Sequence, residues 1–208
     1  YIRLQQAEMP MVFYDRIPYG MNVSQVIVDD YIKAFFLVEH LIREGYRHIV
    51  HLQGPDDVYN SVERARGYKD ALVKFNIPFD KDRMLKAGLT FKDGANAADM
   101  LIEKGVSFDA IFAFTDTLAI GAMNRLRDLG KKIPEEIAIA SFSGTVLSTI
   151  VYPQLTTVEP PLQQMGKVVA ELIIEKIKEP LSPNRSIVLD AEIKLRASSK
   201  KEKDSKGK

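Results

Sequence analysis

Apolar and polar positions in this chain switch repeatedly between two periods. Short apolar runs give way to stretches in which apolar residues return every three or four positions. Residues 109–144 show the switch most clearly. Ala110 to Phe114 is an apolar run, short and aromatic enough for a strand buried on both faces. Thr115, Asp116 and Thr117 then offer side-chain oxygens where a helix must begin. Leu118, Ala122, Leu126 and Leu129 form one helical stripe, which Gly130 stops and Pro134 keeps from resuming. A second buried strand, 137–142, ends in the polar loop Ser143-Gly144-Thr145. The pattern is a β–α–β unit with two polar loops at the carboxyl ends of parallel strands, the edge where open α/β sheets bind ligands.

The rest of the chain repeats this rhythm. Residues 1–8 are mixed and helical at best. Strand 11–14 closes on Asp15-Arg16, and strand 25–28 ends in Asp29-Asp30. One of these two aspartates caps a helix over 31–44 whose stripe is Ala34, Leu37, Val38, Leu41 and Ile42. Gly45 ends it, strand 47–52 enters the loop 53–60, and helix 61–75 carries Tyr68, Leu72 and Phe75 inward. A strand over 84–89 and a helix over 93–104 precede the central unit. In 148–158, Pro153 and two threonines predict an extended segment crossing between lobes and not a central strand. Pro161 suits the first turn of a helix over 162–178. Residues 185–195 read as a strand pair or one bent strand, and the lysine-rich end, from 198 to 208, as a disordered tail. The expected class is α/β, with parallel sheets flanked by helices.

Composition narrows the function. The 208 residues allow a large core in one domain or two lobes, and 46% hydrophobic residues include no run near the length of a membrane span. The chain lacks cysteine, which excludes disulfides and thiolate metal sites and fits a reducing cytoplasm. No secretory signal is visible. A net charge of +1, with no basic excess outside the tail, predicts that this segment binds no nucleic acid by itself.

Five segments, GYRHIVHLQGP, SVERARGYKDAL, DAIFAFTDTLAIGA, GKKIPEEIAIASF and YPQLTTVEPPLQQMGK, resemble in order and spacing the effector-binding core of the lactose/galactose repressor family. The likeness runs from about Pro10 to Leu195. It implies two Rossmann-like lobes of the periplasmic-binding-protein-like kind, joined by three crossovers, with a small effector between them. It also implies a homodimer and a helix-turn-helix headpiece for operator DNA, expected to lie outside this chain together with the first part of the N-terminal lobe. By that mapping Asp29-Asp30, Glu159-Pro160 and residues 181–185 are the crossovers. Residues 1–30 and 159–183 belong to the N-terminal lobe, and 31–158 and 184–197 to the C-terminal lobe. The implied function is the effector-sensing domain of a cytoplasmic transcriptional regulator that takes a sugar or sugar derivative; the alternative is a solute-binding protein of a sugar transport system.

Candidate ligand residues come from position and from this likeness. Arg64 lies on the first turn of a helix behind a strand-end loop, where a guanidinium can grip two hydroxyls or a carboxylate; a solvated helix charge is the competing reading. Val58 and Asn60 match cavity-lining positions of the family. Asp15 matches a cleft carboxylate on the other lobe, against turn initiation. Leu89 stands where relatives carry an aromatic, and Thr115 where they usually carry asparagine. Asp116 either joins the site or caps its own helix. Ser143 replaces a family aspartate that takes sugar hydroxyls, and a hydroxyl cannot copy a carboxylate accepting two bonds. That loss of negative charge fits a phosphorylated or acidic sugar read by Arg64. His40, His48 and His51 are too scattered for a metal site. No nucleophile–base pair, phosphate-binding loop or dinucleotide fingerprint is present, so neither enzyme chemistry nor a cofactor is expected.

Overall fold

The computed structural model describes residues 1, 3, 4, 7–18 and 20–201. The chain builds two sheets. Strands β1 (Val12–Tyr14), β2 (Ser24–Val28) and β8 (Ser186–Leu189) form a small parallel sheet in the order β1-β2-β8. Strands β3 (Ile49–Gln53), β4 (Met84–Lys86), β5 (Ala110–Ala113), β6 (Ala138–Phe142), β7 (Thr156–Glu159) and β9 (Glu192–Lys194) form a larger one, β4-β3-β5-β6-β7-β9. All its pairings are parallel except β7 with β9.

Helices cover both faces of the larger sheet, as the buried runs predict. Helix α1 (Asp30–Arg43) packs on α2 (Tyr59–Lys74), and α3 (Phe91–Glu103) on α4 (Asp116–Asp128). The period-2 rule sorts the core. Ala110 and Phe112 of β5 join Leu37, Leu41, Tyr68 and Leu72 on the α1/α2 side, while Ile111 and Ala113 join Leu101, Leu118 and Met123 on the α3/α4 side. The α1/α2 core continues through Val26 and Val28 of β2 to Met165 and Leu172 of α6 (Leu162–Lys178), so one apolar cluster joins the two sheets. A short α5 (Leu147–Ile150) follows β6. Helices α3 and α4 touch through glycine: a Cβ on Gly121 would lie 2.0 Å from the Phe91 carbonyl oxygen, and one on Gly94 2.2 Å from that of Leu118.

Helix ends sit where capping chemistry puts them. Asp29, Thr90 and Thr115 each accept a backbone N–H at a helix start, and Thr90 with Asp93 completes a capping box that ends β4 sooner than the expected 84–89 strand. Three expectations are corrected. Thr156–Glu159 is an interior strand and not a connector between lobes. Pro153 precedes it and removes no ladder donor, while the two β-branched threonines pair their hydroxyls, Thr157 with Asp116 and Thr156 with the Arg196 carbonyl. The third crossover is at Asp190-Ala191, not 181–185, because β8 pairs with β2 (Gln25 against Ser186) and the chain changes sheets only after it. Finally, the chain stays packed beyond residue 198: Ser198 and Ser199 are buried in a 3-10 turn (Ala197–Ser199), and the Ser198 hydroxyl donates to the Ile139 carbonyl at 2.5 Å. The remainder of the expected tail, 202–208, lies outside the described residues, as do positions 2, 5 and 6 of the N-terminal stretch.

Candidate functional site

The carboxyl edges of the two sheets face one another. From the small sheet come Asp15 after β1 and Asp29-Asp30 after β2; from the large one come the loops after β3, β5 and β6. The post-β1 segment lies against the loop before α2: Pro18 bridges Val58, and the Tyr59 amide donates to the Ile17 carbonyl at 2.9 Å.

Arg64 is the centre of this junction. It is only 3% exposed, so it is not a solvated helix charge. Its Nε donates to Asp30 Oδ1 at 2.7 Å and its Nη1 to the Phe114 carbonyl at 2.7 Å. The guanidinium carbon lies 3.6 Å from the Phe142 ring centroid and 4.7 Å from that of Phe114. Burying a guanidinium is costly unless its donors are used and its charge is met; here a carboxylate, a carbonyl and two ring faces do so. Among the described residues, no acceptor bonds its remaining nitrogen, Nη2. Burial pushes the Asp30 carboxyl above its ordinary range, Arg64 partly offsets this, and the charges of Asp15 and Asp29 add to the rise.

Asn60, 1% exposed on the first turn of α2, donates through Nδ2 to Asp15 Oδ1 at 3.4 Å, a contact between the two lobes. Its Oδ1 is buried and has no partner among the described residues. Asp15 has φ 57° and Ser143 φ 133°, so a non-glycine residue holds positive-φ backbone on each side of the junction, which is where functional sites commonly keep such strain.

The other candidates divide. Asp116 is fully buried, and both carboxylate oxygens are occupied: Oδ1 by the Ser141 and Thr157 hydroxyls at 2.7 Å, Oδ2 by the Thr145 amide at 2.6 Å and hydroxyl at 2.9 Å. It anchors the loop that carries Ser143. Gly144 (φ +60°) lets that loop lie on Glu159, whose Cγ a Cβ there would approach to 2.3 Å. Thr115 spends its hydroxyl on the Leu118 amide at 3.3 Å. Leu89 packs onto the α3/α4 core while its amide donates to Asp93. Asp15, Asn60 and Arg64 are therefore brought together, Val58 and Ser143 flank them, and Thr115 and Leu89 hold neighbouring strand ends. Asp30, Phe114 and Phe142 escaped the sequence reading. Asp30 left one trace, as the second aspartate of a pair in which Asp29 alone caps the helix. Two of the histidine rings have partners elsewhere: His40 pairs with the Ser199 hydroxyl at 2.9 Å and His51 with the Phe112 carbonyl at 2.9 Å.

Known proteins share this fold. The model of the periplasmic binding protein-like domain matches residues 38–199. The chain is 28% identical over 198 residues to the HTH-type transcriptional regulator CelR of Thermobifida fusca, covering 94% of this chain and 58% of that protein. It is 31% identical over 196 residues to the HTH-type transcriptional repressor PurR of Vibrio atlanticus, covering 94% and 59%. It thus spans less than two thirds of the length of these relatives. Among solved structures, the CelR–cellobiose complex matches with TM-score 0.88 at 28% identity, over 94% of this chain and 60% of that one. The transcription regulator CcpA of Lactococcus lactis matches with TM-score 0.88 at 30% identity, over 96% and 73%. By family match, by sequence and by fold, the chain belongs to the periplasmic binding protein-like domain family, as carried by regulators of the lactose/galactose repressor kind.

Proposed function

We propose that this chain is the effector-sensing module of a DNA-binding transcriptional regulator, and that a small polar ligand, a sugar or sugar derivative, binds between the carboxyl edges of its two sheets. Arg64 carries the reading: its guanidinium stacks on two rings of the large sheet's edge while holding Asp30, the residue at which the chain passes from one sheet to the other. Asp15, Val58, Asn60, Arg64 and Ser143 contact the ligand, Leu89 and Thr115 line the edge, and Asp116 acts through the Ser143 loop. Contacts drawn from both lobes make ligand affinity depend on their relative placement, so occupancy shifts the population between placements. In a homodimer that shift moves headpieces on operator DNA, the role the names of the HTH-type relatives support. The cellobiose complex of CelR supports a sugar.

In this reading the regulator works in the cytoplasm and needs neither cofactor nor catalysis. The one serine–histidine pair described, Ser199 with His40, has its serine fully buried within the 3-10 turn, out of reach of a substrate. The names of the regulator relatives favour this reading over a transport solute-binding protein.

The test is a calorimetric panel of sugars, led by cellobiose, with wild type and Arg64→Lys. Lysine keeps a charge opposite Asp30 but cannot fork between two acceptors. The best sugar should lose roughly ten- to a hundredfold in affinity, about 1.5–3 kcal/mol. An undiminished titration in Arg64→Lys would remove Arg64 from the site, and a wild type that binds no sugar would remove the ligand class.

A further inference from the structure

The charge balance at the junction reaches beyond the location of the site. Arg64 is the buried cation there, and Asp30 already engages it at 2.7 Å with both side chains 3% exposed. Asp15 and Asp29 add negative charge near Asp30 and raise its carboxyl further, while Asp30 alone contacts the guanidinium. Lys86, at the end of β4, is itself paired with Asp56. Beside the unbonded Nη2 of Arg64, two acceptors are left open. Asn60 Oδ1 is buried without a donor, and its orientation is set by chemistry: with the amide reversed, two acceptor oxygens would face each other across the 3.4 Å gap to Asp15. Asp15 is exposed, and its second oxygen has no described partner.

We propose that this cleft selects ligands that are uncharged or cationic and donate hydrogen bonds, and that it excludes anions such as phosphorylated or acidic sugars. The inference rests on the reading of the junction as the effector site and adds the ligand's charge class. It reverses the sequence expectation that Ser143, by removing a carboxylate, prepares the cleft for an anion read by Arg64. Asp30 restores that negative charge in direct contact with the guanidinium, so an incoming anion must displace a buried carboxylate at close range instead of meeting a free cation. The Asp15–Asn60 acceptor pair, one member from each lobe, then reads a hydroxyl or amino donor of the ligand.

Inorganic phosphate is the probe, titrated by calorimetry and thermal shift at constant ionic strength. Wild type should show no saturable binding. Asp30→Asn should release Arg64 and bind phosphate at least about tenfold more tightly than wild type, and Asp30→Asn with Arg64→Ala should lose that gain. Should Asp30→Asn fail to fold, Asp15→Asn, on an exposed side chain, should show a smaller gain in the same direction. Saturable binding to wild type that disappears with Arg64, or no gain in any folded variant, overturns the proposal. The effector-site reading fails differently, through sugar titrations unaffected by Arg64→Lys.

Discussion

At the scale of single residues, the difference between Arg64 and Asp116 lies in what each leaves unbonded. Both are buried in the early turns of helices that follow strands of one sheet. Arg64 keeps a nitrogen without a described acceptor, whereas Asp116 accepts four hydrogen bonds and has nothing left to offer. Asp116→Ala should therefore act first on stability. It strands the Ser141 and Thr157 hydroxyls and frees the loop 143–145, at a cost of about 3 kcal/mol in urea unfolding. Sugar affinity should fall only as far as the loosened Ser143 loop contributes. A variant as stable as wild type would show that the loop holds itself.

At the scale of elements, α3 and α4 are held at glycine distance. Gly121→Ala places a Cβ against the Phe91 carbonyl, which is backbone and cannot rotate away, so the two helices must separate or slide. The expected cost is about 1–3 kcal/mol, visible as a lower Tm. An unchanged Tm would mean that the pair has slack. The same pairing explains why these helices were legible. The oxygens of Thr115 to Thr117, the Gly130 stop and the apolar stripes are local signals, and they put the helices within a residue or two of their observed ends. Strand β7 was not legible, since whether a threonine hydroxyl in a strand has a partner depends on Asp116 and Arg196, forty residues away in each direction.

At the scale of the whole molecule, one apolar cluster links both sheets, so a charge introduced there strains the entire fold. His51 lies in the middle of β3, fully buried, stacked on Phe112 at 4.7 Å, with Nδ1 donating to a carbonyl and Nε2 without a described partner. Burial lowers its pKa to about 4. The unfolded chain, with histidine at its ordinary value, takes up this proton between roughly pH 6.5 and 4 and the folded chain does not. Stability is therefore complete above that window and falls as pH drops through it. Between pH 7 and pH 5 the loss assigned to His51 is about 2 kcal/mol. In His51→Phe the fall in urea midpoint across this interval should shrink accordingly; an equal fall would assign the acid sensitivity to other groups.

The sequence by itself determined the α/β class, the helices with their caps, the two-faced burial of β5 and β6, and the strand-end position of Asp15, Asn60, Arg64 and Ser143. All of these follow from periodicity and capping within a dozen residues. The resemblance supplied the two-lobed plan. Tertiary structure alone decided where the chain changes sheets for the third time, because the partner of β8 is β2, far away in sequence. It also decided that Asp116 anchors a loop and that Asp30 engages Arg64. Whether a buried charge is free or already satisfied depends on groups that only the folded chain brings within 3 Å, and no local pattern records them.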